Sequence, residues 1–368
     1  MPSKLAISSM SLGRCYAGHT LEHKLDLASK YGYRGIELFH EDLADVAQRH
    51  FGSVDPRQQI QAAHLVRTMC HARRLEITCL QPFMHFEGLV DRAEHARRLK
   101  ELALWIRLAH ALGTDLIQIP SSFLPAAQVT ADHAVLAADL RAAADLCAAA
   151  TPPLRLAYEA LAWGTRVDTW EASWALVCAA DRPNLGLCLD TFNMAARVYA
   201  DPTAPGGVRP GGAAAMRESL ARLCAAVDPS RIFYVQVVDA ERLAAPLVPG
   251  HAFHVDGQSP RMSWSRNCRL FYGEKDRGAY LPVREIVAAI VNGLGFEGYL
   301  SFELFHRRMS DTDASVPEEL AKRGAVSWRK MVRDVGLKVE TDATEASSTP
   351  DYLSASLSAE KPRGLIAM

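Results

Sequence analysis

A chain of 368 residues is long enough for one large domain or two smaller ones. Its 49% hydrophobic and 23% charged residues match an ordinary globular protein and exclude a disordered or fibrous one. A formal net charge of −1 leaves no electrostatic case for nucleic acid or an anionic membrane as partner.

Eight cysteines, at 15, 70, 79, 147, 178, 188, 224 and 268, contain no Cys-x-x-Cys pair, and several sit in apolar runs. Reduced, buried thiols in a cytoplasmic protein are expected. The first residues lack the long apolar core of a signal peptide, and no run of about 18 apolar residues occurs, so neither a secretion signal nor a membrane span is expected.

In chain order, residues 5–12 predict a first strand. Thr20 predicts the cap of a helix over 21–31. Residues 35–39 predict the second strand, followed by a loop carrying Glu41 and Asp42, and a helix over 57–74. A third strand over 77–83 ends at Pro82, which suits a strand end better than its middle. A long helix over 91–112 stops at Gly113, and residues 116–121 predict the fourth strand. An Ala-rich helix over 130–150 leads to a fifth strand with Glu159. A helix over 168–180, capped by Asp168, leads to a sixth strand that ends at Asp190. After a Gly- and Pro-rich loop, a helix over 213–226 leads to a seventh strand with Gln236. Residues 240–280 predict the longest irregular segment, whose aromatic and basic content favours a functional loop. A helix over 282–293, an eighth strand over 298–305 with Glu303 and a last helix over 316–335 follow.

Eight strands in strict alternation with eight helices predict a closed (β/α)8 TIM barrel, one domain over residues 1–338. An open doubly wound sheet would usually carry a Gly-rich phosphate loop after its first strand, and Gly-x-Gly-x-x-Gly is absent there. Residues 339–368, rich in Thr, Ser, Ala and Glu, predict a disordered tail.

Barrel chemistry sits at the C-terminal ends of the strands. Glu159, Asp190, Gln236 and Glu303 fall at those ends on strands five to eight, which are adjacent around a barrel. Each carboxylate taken alone is as readily an ion pair with an arginine. Four oxygen donors on successive buried strands point instead to one shared divalent ion, since buried charge is costly without a partner. An all-oxygen set suits Mg²⁺ or Mn²⁺, with Co²⁺ as a further candidate, better than zinc. Glu37, at the end of the second strand, is a candidate to orient substrate, or else a structural ion pair. His85, on the loop after the third strand, is a candidate general base, with a solvent-facing loop histidine as the alternative. Arg266, Asn267 and Arg269 suit a carboxylate clamp, with Arg266 also a candidate for the catalytic step. His254 lies in the same loop and is a candidate substrate contact.

The order Glu, Asp, Gln, Glu on strands five to eight resembles the sugar phosphate isomerase/epimerase-like TIM barrels. More narrowly, Met10-Ser-Leu-Gly-Arg-Cys15, Gly35-Ile-Glu-Leu-Phe-His-Glu-Asp42, Gln81-Pro-Phe83, Tyr158-Glu-Ala-Leu161, Leu189-Asp-Thr-Phe192, Gln236-Val-Val-Asp-Ala240 and Ser265-Arg-Asn-Cys-Arg269 resemble the 3-dehydroshikimate dehydratase family, in particular its fungal members of quinate catabolism. The likeness covers about residues 1–335. Two positions depart from the bacterial pattern: Asn193 stands where His is usual, and Met84-His85 where Arg-Asp is usual. The resemblance implies one divalent metal ion, 3-dehydroshikimate as the small-molecule substrate, and protocatechuate and water as products. A ketose isomerase or epimerase is the alternative; it needs the same metal but no carboxylate clamp. An endonuclease IV-like enzyme would need many strand-end histidines and a basic stripe, and a non-catalytic binder would not need a Lewis acid.

Overall fold

The computed structural model describes residues 2–339. The tail expected over 339–368 therefore lies, but for its first residue, outside the described residues. Among the described residues ten strands occur in chain order: β1 (Lys4–Ser8), β2 (Gly35–Phe39), β3 (Glu76–Gln81), β4 (Leu116–Pro120), β5 (Arg155–Glu159), β6 (Leu185–Asp190), β7 (Ile232–Gln236), β8 (Asp239–Ala240), β9 (Arg269–Leu270) and β10 (Tyr299–Phe302). β1 to β7 and β10 close into a barrel in which every pair is parallel and neighbours follow chain order. β8 and β9 form a separate antiparallel pair. The barrel is the expected (β/α)8 TIM barrel.

Helices surround it: α1 (Leu21–Lys30), α2 (His40–Phe51), α3 (Pro56–Ala72), α4 (Arg92–Leu112), α5 (His133–Ala148), α6 (Trp170–Ala180), α7 (Thr191–Val198), α8 (Gly212–Ala226), α9 (Pro260–Cys268), α10 (Val283–Ala288) and α11 (Val316–Val335). None of the described helices is long and apolar enough to cross a membrane.

The barrel interior follows from the two-residue period of a strand. Cys79, Leu116, Ala157, Cys188 and Tyr234 pack together as a small apolar cluster inside it. Two residues further along the same strands stand Gln81, Gln118, Glu159, Asp190 and Gln236, all buried. The same face thus changes from an apolar plug to a polar layer at the C-terminal ends. That change builds a site above a sealed floor.

Where structure and sequence reading differ, local physics explains it. The segment with Glu41 and Asp42 is not a loop but the first turn of α2, where acidic side chains favour the helix dipole. Its apolar face is Leu43, Val46 and Ala47, and Gly52 ends it in the left-handed region. The first strand stops at Ser8 and continues as a 3₁₀ turn over Ser9–Leu12. Asp168 does not cap α6. Thr169 does, accepting from the Ala172 amide at 3.2 Å, while Asp168 pairs with Arg197 at 2.6 Å. Residues 240–280 are not wholly irregular: they hold α9, entered through Pro260, and β9.

Candidate active site

The polar layer brings Glu159, Asp190 and Glu303 together from β5, β6 and the residue just after β10. One carboxylate oxygen from each lies within 4.8 Å of the others, and all three side chains are buried. Asp190 has a second task that fixes its orientation: it caps α7, accepting from the Asn193 amide at 3.0 Å. The Asn193 side chain donates to Glu159 Oε1 at 2.7 Å and accepts from the Ala162 amide at 3.0 Å. Gln118 donates to the other Glu159 oxygen. Gln81 donates to Glu303 Oε1 at 2.9 Å. Each carboxylate therefore enters the cluster held by a neutral donor from a neighbouring element, which is how outer-shell groups aim ligands.

Arg269 completes the cluster. Its Nη1 lies 2.6 Å from Asp190 Oδ2 and 3.0 Å from Glu303 Oε2, and its Nε donates to Ser265 Oγ at 2.9 Å. The guanidinium packs on the rings of Phe192 and Phe305, 4.5 and 5.1 Å from their centroids. Burial works against its charge, and Asp190 and Glu303 more than restore it. Three buried carboxylates against one guanidinium leave a formal deficit of two positive charges. Burial, with the charge of Asp190, pushes Glu159 up to about 8, and burial with the charge of Glu37 raises Glu303 well above the usual carboxylate range. A single divalent cation would cancel the deficit, and the oxygen donor set suits one. The triad can hold a metal ion.

Gln236 sits beside Asp190 and Ser301 in the strand register. Its amide oxygen accepts from the Cys188 thiol at 3.3 Å and its Nε2 donates to Glu37 at 2.5 Å. Glu37 is wholly buried inside the barrel, where Gln81, Tyr234, Gln236 and Ser301 all donate to it at 2.5 to 2.6 Å. Burial pushes its pKa up to about 7 against those hydrogen bonds. Glu37 is the hub that ties the second, third, seventh and last barrel strands together, and it does not line the cavity above.

That cavity, about 510 Å³, is lined at its base by Gln81, Gln118, Glu159, Arg269 and Glu303 and higher up by Arg14, Glu41, Arg266 and His306. A larger cavity, about 710 Å³, opens among the strand starts Glu76, Leu116, Arg155, Ile232 and Tyr299 at the opposite end. It contains none of the strand-end carboxylates, so the smaller cavity is the candidate site.

The remaining candidates divide. Arg266 lines the cavity, with Nη1 donating to Gln258 at 3.1 Å. Its charge is disfavoured by burial and by the nearby charge of Arg14. Arg269 is not at the mouth but on the carboxylates below. Asn267 turns back into α9 and donates to the Ser263 carbonyl at 2.8 Å, one helical turn earlier. His254 lies 3.5 Å from Asp256 in its own loop and does not line the cavity. His85 has φ of 55° and lines a different cleft, its ring packed at 4.4 Å between centroids on Phe123, which lines the candidate cavity.

Five residues lining the site are not singled out by the sequence: Arg14, Glu41, Gln81, Gln118 and His306. Gln81 and Gln118 were legible in principle, as strand-end polar residues on the same two-residue period. Arg14 and His306 sit on irregular backbone, where no period marks a direction.

A model of the family described as Xylose isomerase-like TIM barrel matches residues 25–331. A 3-dehydroshikimate dehydratase of Neurospora crassa is 59% identical over 347 residues, covering 92% of this chain and 96% of its own. A 3-dehydroshikimate dehydratase of Pseudomonas aeruginosa is 34% identical over 287 residues, covering 78% of this chain and 36% of its own, longer one. Among solved structures, a xylose isomerase-like TIM barrel/4-hydroxyphenylpyruvate dioxygenase fusion protein superposes with a TM-score of 0.68 at 28% identity, over 91% of this chain and 43% of its own. With a fungal relative this similar along almost the whole of both chains, and a strand-end carboxylate cluster at the base of a cavity, the chain belongs to the xylose isomerase-like TIM barrel family and, within it, to the 3-dehydroshikimate dehydratases.

Proposed function

We propose that the chain dehydrates 3-dehydroshikimate to protocatechuate and water with the help of one divalent metal ion, Mg²⁺ or Mn²⁺. The observation that carries the reading is the buried triad of Glu159, Asp190 and Glu303 at the base of a cavity with arginines above it. The triad would hold the ion, and Gln236 on the next strand would be a fourth oxygen donor once its amide oxygen turns from the Cys188 thiol. When bound, the ion supplies Lewis-acid polarisation of the substrate ketone.

The chain's own residues supply the rest. Arg266 and Arg14 line the cavity and suit the ring carboxylate. Arg14 is poorly occupied by the protein: Nη2 meets Glu41 at 2.8 Å, Nη1 faces only the Met10 sulfur, and Nε is buried without an acceptor. Loss of the proton α to the ketone, departure of the β hydroxyl as water and tautomerisation give the aromatic ring. Among the carboxylates lining the cavity, Glu41 is the one not assigned to the ion, and it is the candidate to take that proton. Asn193, Gln118 and Gln81 keep the oxygens of Glu159 and Glu303 aimed while charge moves. The eight cysteines are free thiols, which supports a reducing, cytoplasmic setting.

The test is to supply 3-dehydroshikimate to the purified protein and follow the ultraviolet absorbance of protocatechuate. Product is expected. No product from demonstrably folded protein, with turnover of small keto sugars instead, would replace this reading with a ketose isomerase or epimerase.

A further inference from the structure

We infer that His306 is a substrate-facing hydrogen-bond donor, held as the neutral Nε2–H tautomer, and not an acid–base catalyst. This rests on the dehydratase reading for the ligand but not for the tautomer.

His306 follows Glu303 by three residues, where the chain leaves β10 and turns into a short 3₁₀ helix, Arg307–Ser310. It caps that helix. Its Nδ1 accepts from the Arg308 backbone amide at 3.0 Å. A backbone N–H only donates, so the Nδ1 lone pair is committed and the proton of the neutral ring must sit on Nε2. The ring is anchored further by its own backbone amide, which donates to Met309 Sδ at 3.1 Å. The residue is 9% exposed and lines the same cavity as Arg14, Glu159, Arg266 and Glu303. No acceptor within the described residues meets Nε2.

The neutral state is built in as well. Burial pushes the imidazole down to about 3, and Arg307, Arg323 and Arg277 push the same way against a single opposing carboxylate, Glu319. The group therefore neither gains nor loses a proton near neutral pH. A fixed N–H in a partly closed cavity seeks an uncharged or developing oxygen. The arginines are better suited to the carboxylate, so the ring's hydroxyl or ketone oxygen is the match for Nε2. A neutral donor strengthens as that oxygen gains charge and cannot short-circuit the reaction by protonating it. The residue three positions after a metal-ligand candidate thus has a catalytic contact of its own.

The test uses the full chain labelled with ¹⁵N in histidine. Long-range ¹H–¹⁵N spectra between about pH 5 and 8 should show one ring, assigned by its disappearance in His306→Gln, as Nε2–H with no titration. Addition of protocatechuate should shift its Nε2–H signal. A ring that titrates near 6.5, or carries its proton on Nδ1, overturns the proposal whatever the protein turns over. In the dehydratase assay, His306→Leu should lose about 10²-fold in kcat/KM, and His306→Gln, which keeps an N–H donor, should recover part of that. The pH profile of His306→Gln should keep both limbs of the wild type; loss of a limb would make His306 the acid or base and overturn the inference. Absence of product with the wild type, together with a correct tautomer, would count against the dehydratase reading alone.

Discussion

At the residue scale, the site works by committing almost every polar atom before substrate arrives. Glu159, Asp190 and Glu303 are each aimed by a neutral donor, Arg269 is shared between two of them, and Glu37 below accepts from four donors. Arg14, Arg266 and the Nε2–H of His306 are exceptions that the protein gives too few acceptors, and Gln118 Oε1 is left without a donor. Charge-assisted hydrogen bonds are worth about 1.5–3 kcal/mol each, so Arg14→Leu and Arg266→Leu should each raise KM for 3-dehydroshikimate roughly 10- to 100-fold with a smaller effect on kcat. Steady-state kinetics checks this, and an unchanged KM in both variants would remove the clamp.

His306 adds a pH dependence of stability with a definite sign. Its folded pKa is about 3, below an unfolded value of about 6.5. Between those values the unfolded chain binds the extra proton, so stability rises with pH and is lost as pH falls through the window, by at most about 1.4 kcal/mol per pH unit. Denaturant unfolding between roughly pH 4 and 6 should show a shallower slope for His306→Gln than for the wild type. Equal slopes would mean that the imidazole charges without cost in the fold.

At the scale of elements, the buried ion pair of Lys24 and Asp42 ties α2 to α1. Lys24 on α1 is wholly buried, reaching Asp42 Oδ1 on α2 at 2.5 Å and the Gly13 carbonyl at 2.9 Å. One side chain, through two contacts, joins α1, α2 and the loop that carries Arg14. Lys24→Met should destabilise the fold by about 3–5 kcal/mol, because it leaves Asp42 buried and unpaired. The unfolding midpoint measures this, and a change under about 1 kcal/mol would show that water reaches Asp42. The sequence predicts a loop at Glu41 and Asp42, next to a strand end. Only the packed partner Lys24 reveals otherwise. In the same way α7 hides behind Asp190, which ends a strand and caps a helix at once.

At the scale of the molecule, the barrel was legible because two periods alternate along the chain, and the strand-end carboxylates were legible because they recur at the same place in successive strands. The roles of individual loop residues were not. Arg269 and Arg266 lie three residues apart at the end of α9, yet one is buried on the carboxylates and the other lines the cavity above. His85 follows a strand end, but a left-handed backbone turns it into another cleft. Spacing carries no information about such turns. The carboxylates are also the part of the account most open to direct attack. Glu159→Ala or Glu303→Ala should abolish turnover and metal binding while circular dichroism shows an intact barrel, and full activity in either variant would remove the shared-ion model.

The measurement that bears most directly on that model joins metal content to rate on the unmodified chain. The protein would be stripped with a chelator, reloaded with Mg²⁺ or Mn²⁺, and followed by elemental analysis and protocatechuate formation in parallel. One divalent ion per chain, with the rate rising in proportion to occupancy, is the expected result. Undiminished dehydration of 3-dehydroshikimate by protein shown to be metal-free would contradict it.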